Sequence, residues 1–190
     1  SVHKGEDFPP KERINVLKTF IKNIQENTQS LAELATSEGG KPITDSIIEI
    51  KRGAEGVESC IEVLKSESGS VIPMNINEAS SNRIAFTQKE PIGVVLAISA
   101  FNHPFNLIIH QVIPAIAVGC PVIVKPAEDT PLSCLKIVEM LYEAGLPKNR
   151  CHFVMPENLD LATKLVSDER IDFFSFIGSS KVGWFLRSKL

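Results

Sequence analysis

Two short apolar runs, each closed by a knot of polar and turn-forming residues and joined through one helix-like run, set the tightest limit on what this chain becomes. The first reads Glu90-Pro-Ile-Gly-Val-Val-Leu-Ala-Ile-Ser-Ala100 and runs into Phe101-Asn-His-Pro104. The second reads Gly119-Cys-Pro-Val-Ile-Val-Lys-Pro-Ala-Glu-Asp-Thr-Pro131. Short unbroken apolar runs bounded by turn signals suit strands buried on both faces, and the helical run between them supplies the crossover that a parallel pair needs. In such βαβ units ligands gather beyond the C-terminal ends of the strands, which is where the polar side chains collect here.

The rhythm continues to the end of the chain. Strands are predicted at Val94 to Ile98, Pro121 to Val124, Cys151 to Val154 and Phe173 to Phe176. Helices are predicted at Phe105 to Val118, Pro131 to Ala144 with a stop at Gly145, Leu159 to Val166, and from about Ser180. This alternation predicts an α/β fold, a Rossmann-like doubly wound parallel sheet with right-handed crossovers. A helical segment precedes it. Ile14, Leu17, Ile21 and Ile24 recur at helical spacing from Pro10 onward, and a second helix at Ser30 to Ser37 stops at Gly39-Gly40. In a third, Ile43, Ile47, Ile50, Ala54, Val57, Ile61 and Leu64 fall on one face, with Glu49, Lys51, Arg52 and Glu58 expected elsewhere and the seam expected to pack against the domain. Residues 66–90 change texture. Ser70-Val-Ile72 and Arg83 to Gln88, joined by a polar loop, predict a β-hairpin.

Composition narrows the function. With 43% hydrophobic and 23% charged residues, 190 residues suffice for one well-buried domain. A net charge of −3 with mixed signs offers no basic stripe, so no nucleic-acid partner is expected. The apolar runs fall short of the ~20 residues that span a bilayer and no leader opens the chain, so no membrane partner is expected. Cys60, Cys120, Cys134 and Cys151 form no C-x-x-C pair and meet no His at ligand spacing. Neither a metal site nor a disulfide framework is expected, and free thiols point to a cytoplasmic location.

Phe176-Ile-Gly-Ser-Ser-Lys-Val-Gly183 joins a strand to a helix. Gly178 permits a tight turn and the close approach of a ligand, and Ser179 with the free amides of a helix N-terminus suits an anion. The segment departs from Gly-x-Gly-x-x-Gly, and no other segment meets that fingerprint. His103 is a general base by residue type, although a turn His more often serves as a local hydrogen-bonding group. His110, inside an apolar helix, is expected to be a satisfied core histidine.

Three motifs in order, Ala100-Phe-Asn-His-Pro104, Lys125-Pro-Ala-Glu128 and Phe176-Ile-Gly-Ser179 with Gly183, resemble those of the aldehyde dehydrogenase family. The likeness runs from about Phe8 to the end and includes the Gly-Gly-Lys-Pro42 turn. Phe101 and His103 stand where the family more often has Trp and an aromatic residue. Ile177 replaces the usual Thr, and Met155-Pro-Glu-Asn158 lacks the glycines common there. The resemblance implies a cofactor site of Ser99, Phe101, Lys125, Glu128, Gly178, Ser179 and Gly183. Lys125 and Glu128 would hold the adenosine ribose and the Gly-Ser segment the pyrophosphate. It implies NAD, with NADP disfavoured because the Glu128 carboxylate would face the 2′ position. It also implies Asn102 as the donor to the oxyanion formed when a thiolate adds to the aldehyde.

The family's nucleophilic Cys and general-base Glu lie well downstream of the Gly-Ser motif, and none of the four cysteines here matches the nucleophile. Residues 1–190 are therefore expected to be a partial NAD(P)-binding domain of an aldehyde dehydrogenase, without the catalytic domain and inactive alone. Hairpin 66–90, which the resemblance implies is protruding from the domain, is expected to mediate a homo-dimer or homo-tetramer. Two alternatives stand beside this: a non-catalytic nucleotide-binding or interaction module, and a fragment of an acylating or phosphate-reducing relative.

Overall fold

The computed structural model describes residues 8–190. Its helical segment forms as the periodicity requires: α1 (Pro10–Glu26), α2 (Thr28–Gly39) and α3 (Ile43–Ser66). Pro10 opens α1 at a position where a missing N–H costs nothing. Gly40, at φ 70°, ends α2 in the left-handed conformation that glycine adopts without strain. Leu17, Phe20, Ile24, Leu31, Ile50, Val57 and Ile61 from these helices are buried in one core.

The α/β part follows as β3 (Val95–Ile98), α4 (Asn106–Val118), β4 (Val122–Lys125), α5 (Leu132–Glu143), β5 (Cys151–Phe153), α6 (Leu159–Val166), β6 (Phe173–Phe176) and α7 (Ser180–Arg187); β1 (Val71–Ile72) and β2 (Ala85–Phe86) precede it as the hairpin. The four later strands form one parallel sheet in the order β5-β4-β3-β6. The chain steps from β3 to β4 to β5 and then returns to the far side of β3, as do the first four strands of a dinucleotide-binding fold, so the switch point lies between β3 and β6. One face of the sheet, with Val95, Ala97, Val122 and Val124, joins the core shared with α1–α5. The other, with Leu96 and Ile98, is covered by Val166 of α6 and Leu186 of α7. Helices therefore lie on both faces and the fold is doubly wound. Strand and helix limits agree with the sequence to within a residue or two; β3 begins at Val95 because the amide of Val94 is taken by Asp172 Oδ2 at 2.8 Å.

Helix α4 is held at both ends by charges from outside it. At its C-terminus Arg13 Nη1 donates to Ala117 O at 2.5 Å and Arg150 Nη1 to Gly119 O at 3.2 Å. At its N-terminus Glu49 Oε1 accepts from Phe105 N at 2.9 Å and Asn106 N at 2.8 Å. Each charge has the sign that the helix dipole favours.

Two expectations are corrected. Glu49 lies off the apolar seam but is 3% exposed rather than solvated: Ser46, Glu49 and Gly53 form a second buried stripe, in which Ser46 Oγ accepts from Thr36 Oγ1 of α2 while Glu49 and Gly53 face α4. His110 is exposed rather than a core histidine, since α4 buries most of its circumference but leaves His110, Pro114 and Val118, four residues apart, uncovered. The hairpin forms as predicted, with Val71 paired to Phe86 and Ile72 to Ala85. Its apolar side chains are largely in solvent, Val71 at 80% and Ile84 at 89% exposure.

Candidate functional site

Register brings the three motifs to one edge. Ile98 pairs with Lys125 on one side and Phe176 on the other, so β3, β4 and β6 end level with one another. Ser99 N donates to Lys125 O at 3.1 Å and Ile177 N to Ile98 O at 2.9 Å. The segments that leave these strands therefore emerge side by side at the switch point. Gln111 of α4 braces them, its Nε2 donating to Ile98 O and Ser175 O, each at 3.1 Å.

Beyond β3, Ser99 is buried and its Oγ has no hydrogen-bond partner among the described residues. Phe101 is 57% exposed, and its carbonyl accepts from Thr130 Oγ1 at 3.4 Å, which links this turn to the one after β4. Asn102 is exposed and forms no side-chain hydrogen bond with a described residue. His103 Nδ1 lies 3.3 Å from Lys41 Nζ. Desolvation, then the positive charges of Lys41 and Arg52, hold the imidazole below its usual pKa, with Asp45 opposing. A neutral ring accepting from the ammonium fits both observations, and His103 is a local hydrogen-bonding group here.

Beyond β4, Lys125 is 9% exposed rather than a solvated strand end. Its Nζ donates to Pro126 O at 3.1 Å and lies 3.7 Å from Oε1 of Glu128, whose carboxylate is open to solvent. Beyond β6, Ser179 Oγ accepts from Val182 N at 3.4 Å, a long and weak cap for α7. A side chain at Gly178 would come within 2.6 Å of the Phe176 ring, and one at Gly183 within 3.0 Å. Both glycines let the start of α7 lie close against β6.

Sequence reasoning missed what fills the other helix N-termini. Besides Glu49 on α4, Glu38 of α2 takes the first turn of α5, its Oε2 accepting from Leu132 N at 2.7 Å and its Oε1 from Ser133 N at 2.9 Å. The helices that follow β3 and β4 are thus already occupied by carboxylates. The helices α6 and α7 carry only neutral caps, Asn158 and Ser179, and of these α7 alone follows a strand adjacent to β3. An anion at the switch point has α7 as its one open helix N-terminus among the described residues. Glu49 itself carried no signal of burial; the small residues Ser46 and Gly53, at helical intervals from it, mark close packing on that side of α3.

The four cysteines lie outside the three motifs. Burial pushes the thiols of Cys60 and Cys134 up, and that of Cys151 up to about 12. The surroundings of these three do not activate them as thiolates.

Known proteins share this sequence pattern and this fold. The model of the aldehyde dehydrogenase family matches residues 2–189. A 3-sulfolactaldehyde dehydrogenase of Priestia aryabhattai is 38% identical over 182 residues, which are 96% of this chain and 38% of the relative. Among solved structures, aldehyde dehydrogenase 21 of Physcomitrella patens, in complex with the reaction product succinate, superposes with a TM-score of 0.91 at 33% identity, over 96% of this chain and 38% of that one. The NADP-dependent glyceraldehyde-3-phosphate dehydrogenase of Bacillus halodurans C-125, complexed with NADP, gives 0.91 at 31% identity, over 96% and 38%. The chain spans well under half the length of these relatives. With the family model matched along nearly its whole length and the three motifs converging at one sheet edge, this chain belongs to the aldehyde dehydrogenase family.

Proposed function

We propose that this chain is the cofactor-binding portion of an NAD-dependent aldehyde dehydrogenase that oxidises an aldehyde to a carboxylic acid. The observation that carries the reading is the convergence of Ser99–Asn102, Lys125–Glu128 and Gly178–Ser179 at the switch point, beside the one helix N-terminus there not filled by a protein carboxylate. The residues suit a dinucleotide. The buried ammonium of Lys125 and the open carboxylate of Glu128 offer a donor and an acceptor for a ribose, and Ser179 with the first amides of α7 offers donors for a pyrophosphate. Gly178 and Gly183 let that helix approach, while the unpartnered Ser99 Oγ and the exposed Phe101 ring line the same edge.

When bound, NAD supplies the acceptor for the hydride that leaves the aldehyde carbon. Asn102 donates its free carboxamide to the oxyanion that forms at that carbon, where a preorganised donor stabilises charge present only during reaction. The hairpin's exposed apolar strands associate with another copy, giving a homo-dimer or homo-tetramer. Four cysteines without a disulfide suit the reducing cytoplasm.

The choice of NAD over NADP rests on Glu128. A carboxylate that accepts from the ribose hydroxyls faces the 2′ position, where NADP carries a phosphate. At ~4 Å and an effective dielectric of about 20, each unit pair of like charges costs on the order of 4 kcal/mol before Glu128 swings aside or Lys125 offsets it. A net bias of about tenfold or more needs only ~1.4 kcal/mol. Because some structural relatives are complexed with NADP, family membership alone does not choose. Titrating both cofactors into the complete enzyme that contains this chain decides it: the wild type prefers NAD by at least about tenfold, and Glu128→Gln gains affinity for NADP. Equal affinities in the wild type, or no gain in the variant, remove Glu128 from the ribose.

A further inference from the structure

The turn that carries Asn102 is fixed at its ends and free in its middle. Its start is tied to β4 through Ser99 N and Lys125 O. Its end is tied to α3: Glu49 Oε1 accepts from both Phe105 N and Asn106 N, while Oε2 pairs with the Lys41 ammonium and lies 3.7 Å from His103 Nδ1. Lys41 in turn reaches His103. Between these anchors the long Thr130 Oγ1 contact holds the Phe101 carbonyl, and the His103 carbonyl accepts from Leu107 N at 3.0 Å in the first turn of the helix that Glu49 caps. Residues 103 and 104 transmit the far anchor to Asn102 stiffly, since Pro104 has a fixed φ and restricts His103 before it to extended conformations. A shift of the Phe105 amide therefore passes through two rigid residues to the Asn102 carboxamide instead of being absorbed.

We infer that Glu49, paired with Lys41, is a positioning residue for the oxyanion donor: it clamps the end of the Phe101–Pro104 turn so that Asn102 is aimed at the reacting carbon, without itself touching substrate or cofactor. A helix cap alone needs neither the ion pair to Lys41 nor the approach to His103. Glu38, which caps α5 by the same two-amide grip, makes neither contact with this turn. Oxyanion donors need placement to within about 0.5 Å, and a misplacement of about 1 Å costs on the order of 100-fold in rate.

The inference rests on the assignment of Asn102 under the proposed function, and a double-mutant cycle on the complete enzyme separates the two. Single-turnover hydride transfer at saturating aldehyde is measured for the wild type, Glu49→Ala, Asn102→Ala and the double variant, with NAD affinity measured alongside. Glu49→Ala is expected to slow the step by about 10- to 100-fold with little change in NAD affinity. In the Asn102→Ala background the same change is expected to cost less than about twofold, because no donor is left to aim. An equal loss in both backgrounds overturns the inference, as does no loss in the wild-type background. If Asn102→Ala itself leaves the rate unchanged, the assignment of Asn102 fails and the inference with it. Should Glu49→Ala not fold, Glu49→Asp runs the same cycle: it keeps the charge for Lys41 but withdraws the acceptor from the two amides by one methylene. A slowed rate that Asn102→Ala suppresses supports the inference, and an unchanged rate or an additive loss overturns it.

Discussion

The role proposed for Asn102 rests on its being unengaged: no described residue hydrogen-bonds its carboxamide, and the turn around it is held from both ends. Replacing it by Ala in the complete enzyme is expected to lower turnover by about 10² to 10³, the usual loss for one oxyanion donor. A pre-steady-state measurement of the acylation step checks this, and an unchanged rate there excludes the role. Residues of this kind were legible in the sequence because turn and strand-end positions announce themselves through Pro, Gly and Asn. Lys125, Glu128 and Gly178 stood out as candidates for the same reason. Glu49 was not, because an acidic residue within a helix is ordinarily solvated and its burial is set by partners in a segment more than fifty positions away. His110 failed in the opposite sense. An apolar helix reads as buried all round, and only the way α4 lies on the sheet shows that one row of it stays open.

At the scale of elements, the α/β alternation was legible because parallel strands are short and apolar on both faces and each helix is punctuated by Pro or Gly. The positive φ values at Gly119 and Gly145 stand where the sequence stops α4 and α5. What the pattern left out is how the three leading helices serve the sheet. They cover one face of the domain and send Glu38 and Glu49 into two of its helix N-termini, leaving α7 open to an anion. The hairpin is the least integrated element. Its strands pair only with each other, and Val71, Ile76, Ile84 and Phe86 stand mostly in solvent. Two strands alone are marginally stable, and exposed edges extend other sheets. Deleting the hairpin from the complete enzyme is therefore expected to lower its oligomeric state in sedimentation velocity. The same oligomer without the hairpin contradicts its role in assembly.

The whole molecule presents one edge where the residues proposed to hold the cofactor gather, and several surfaces left open. Phe173 on β6 and Trp184 on α7 are both exposed, and β6 is an outer strand of the described sheet. With the chain spanning 38% of the 3-sulfolactaldehyde dehydrogenase it resembles, oxidation of an aldehyde is proposed for the complete enzyme, and binding of the dinucleotide for this portion of it. Lys125 decides that most directly. It is the buried cation of the edge, an unbranched side chain that Met replaces at similar volume, and hydrogen bonds to charged groups contribute about 1.5–3 kcal/mol. An equilibrium titration of NAD into the complete enzyme, wild type against Lys125→Met, is expected to show a loss of affinity of about 10- to 100-fold with thermal stability retained. Equal affinity in the two proteins would mean that the dinucleotide does not lie across the ends of β3, β4 and β6.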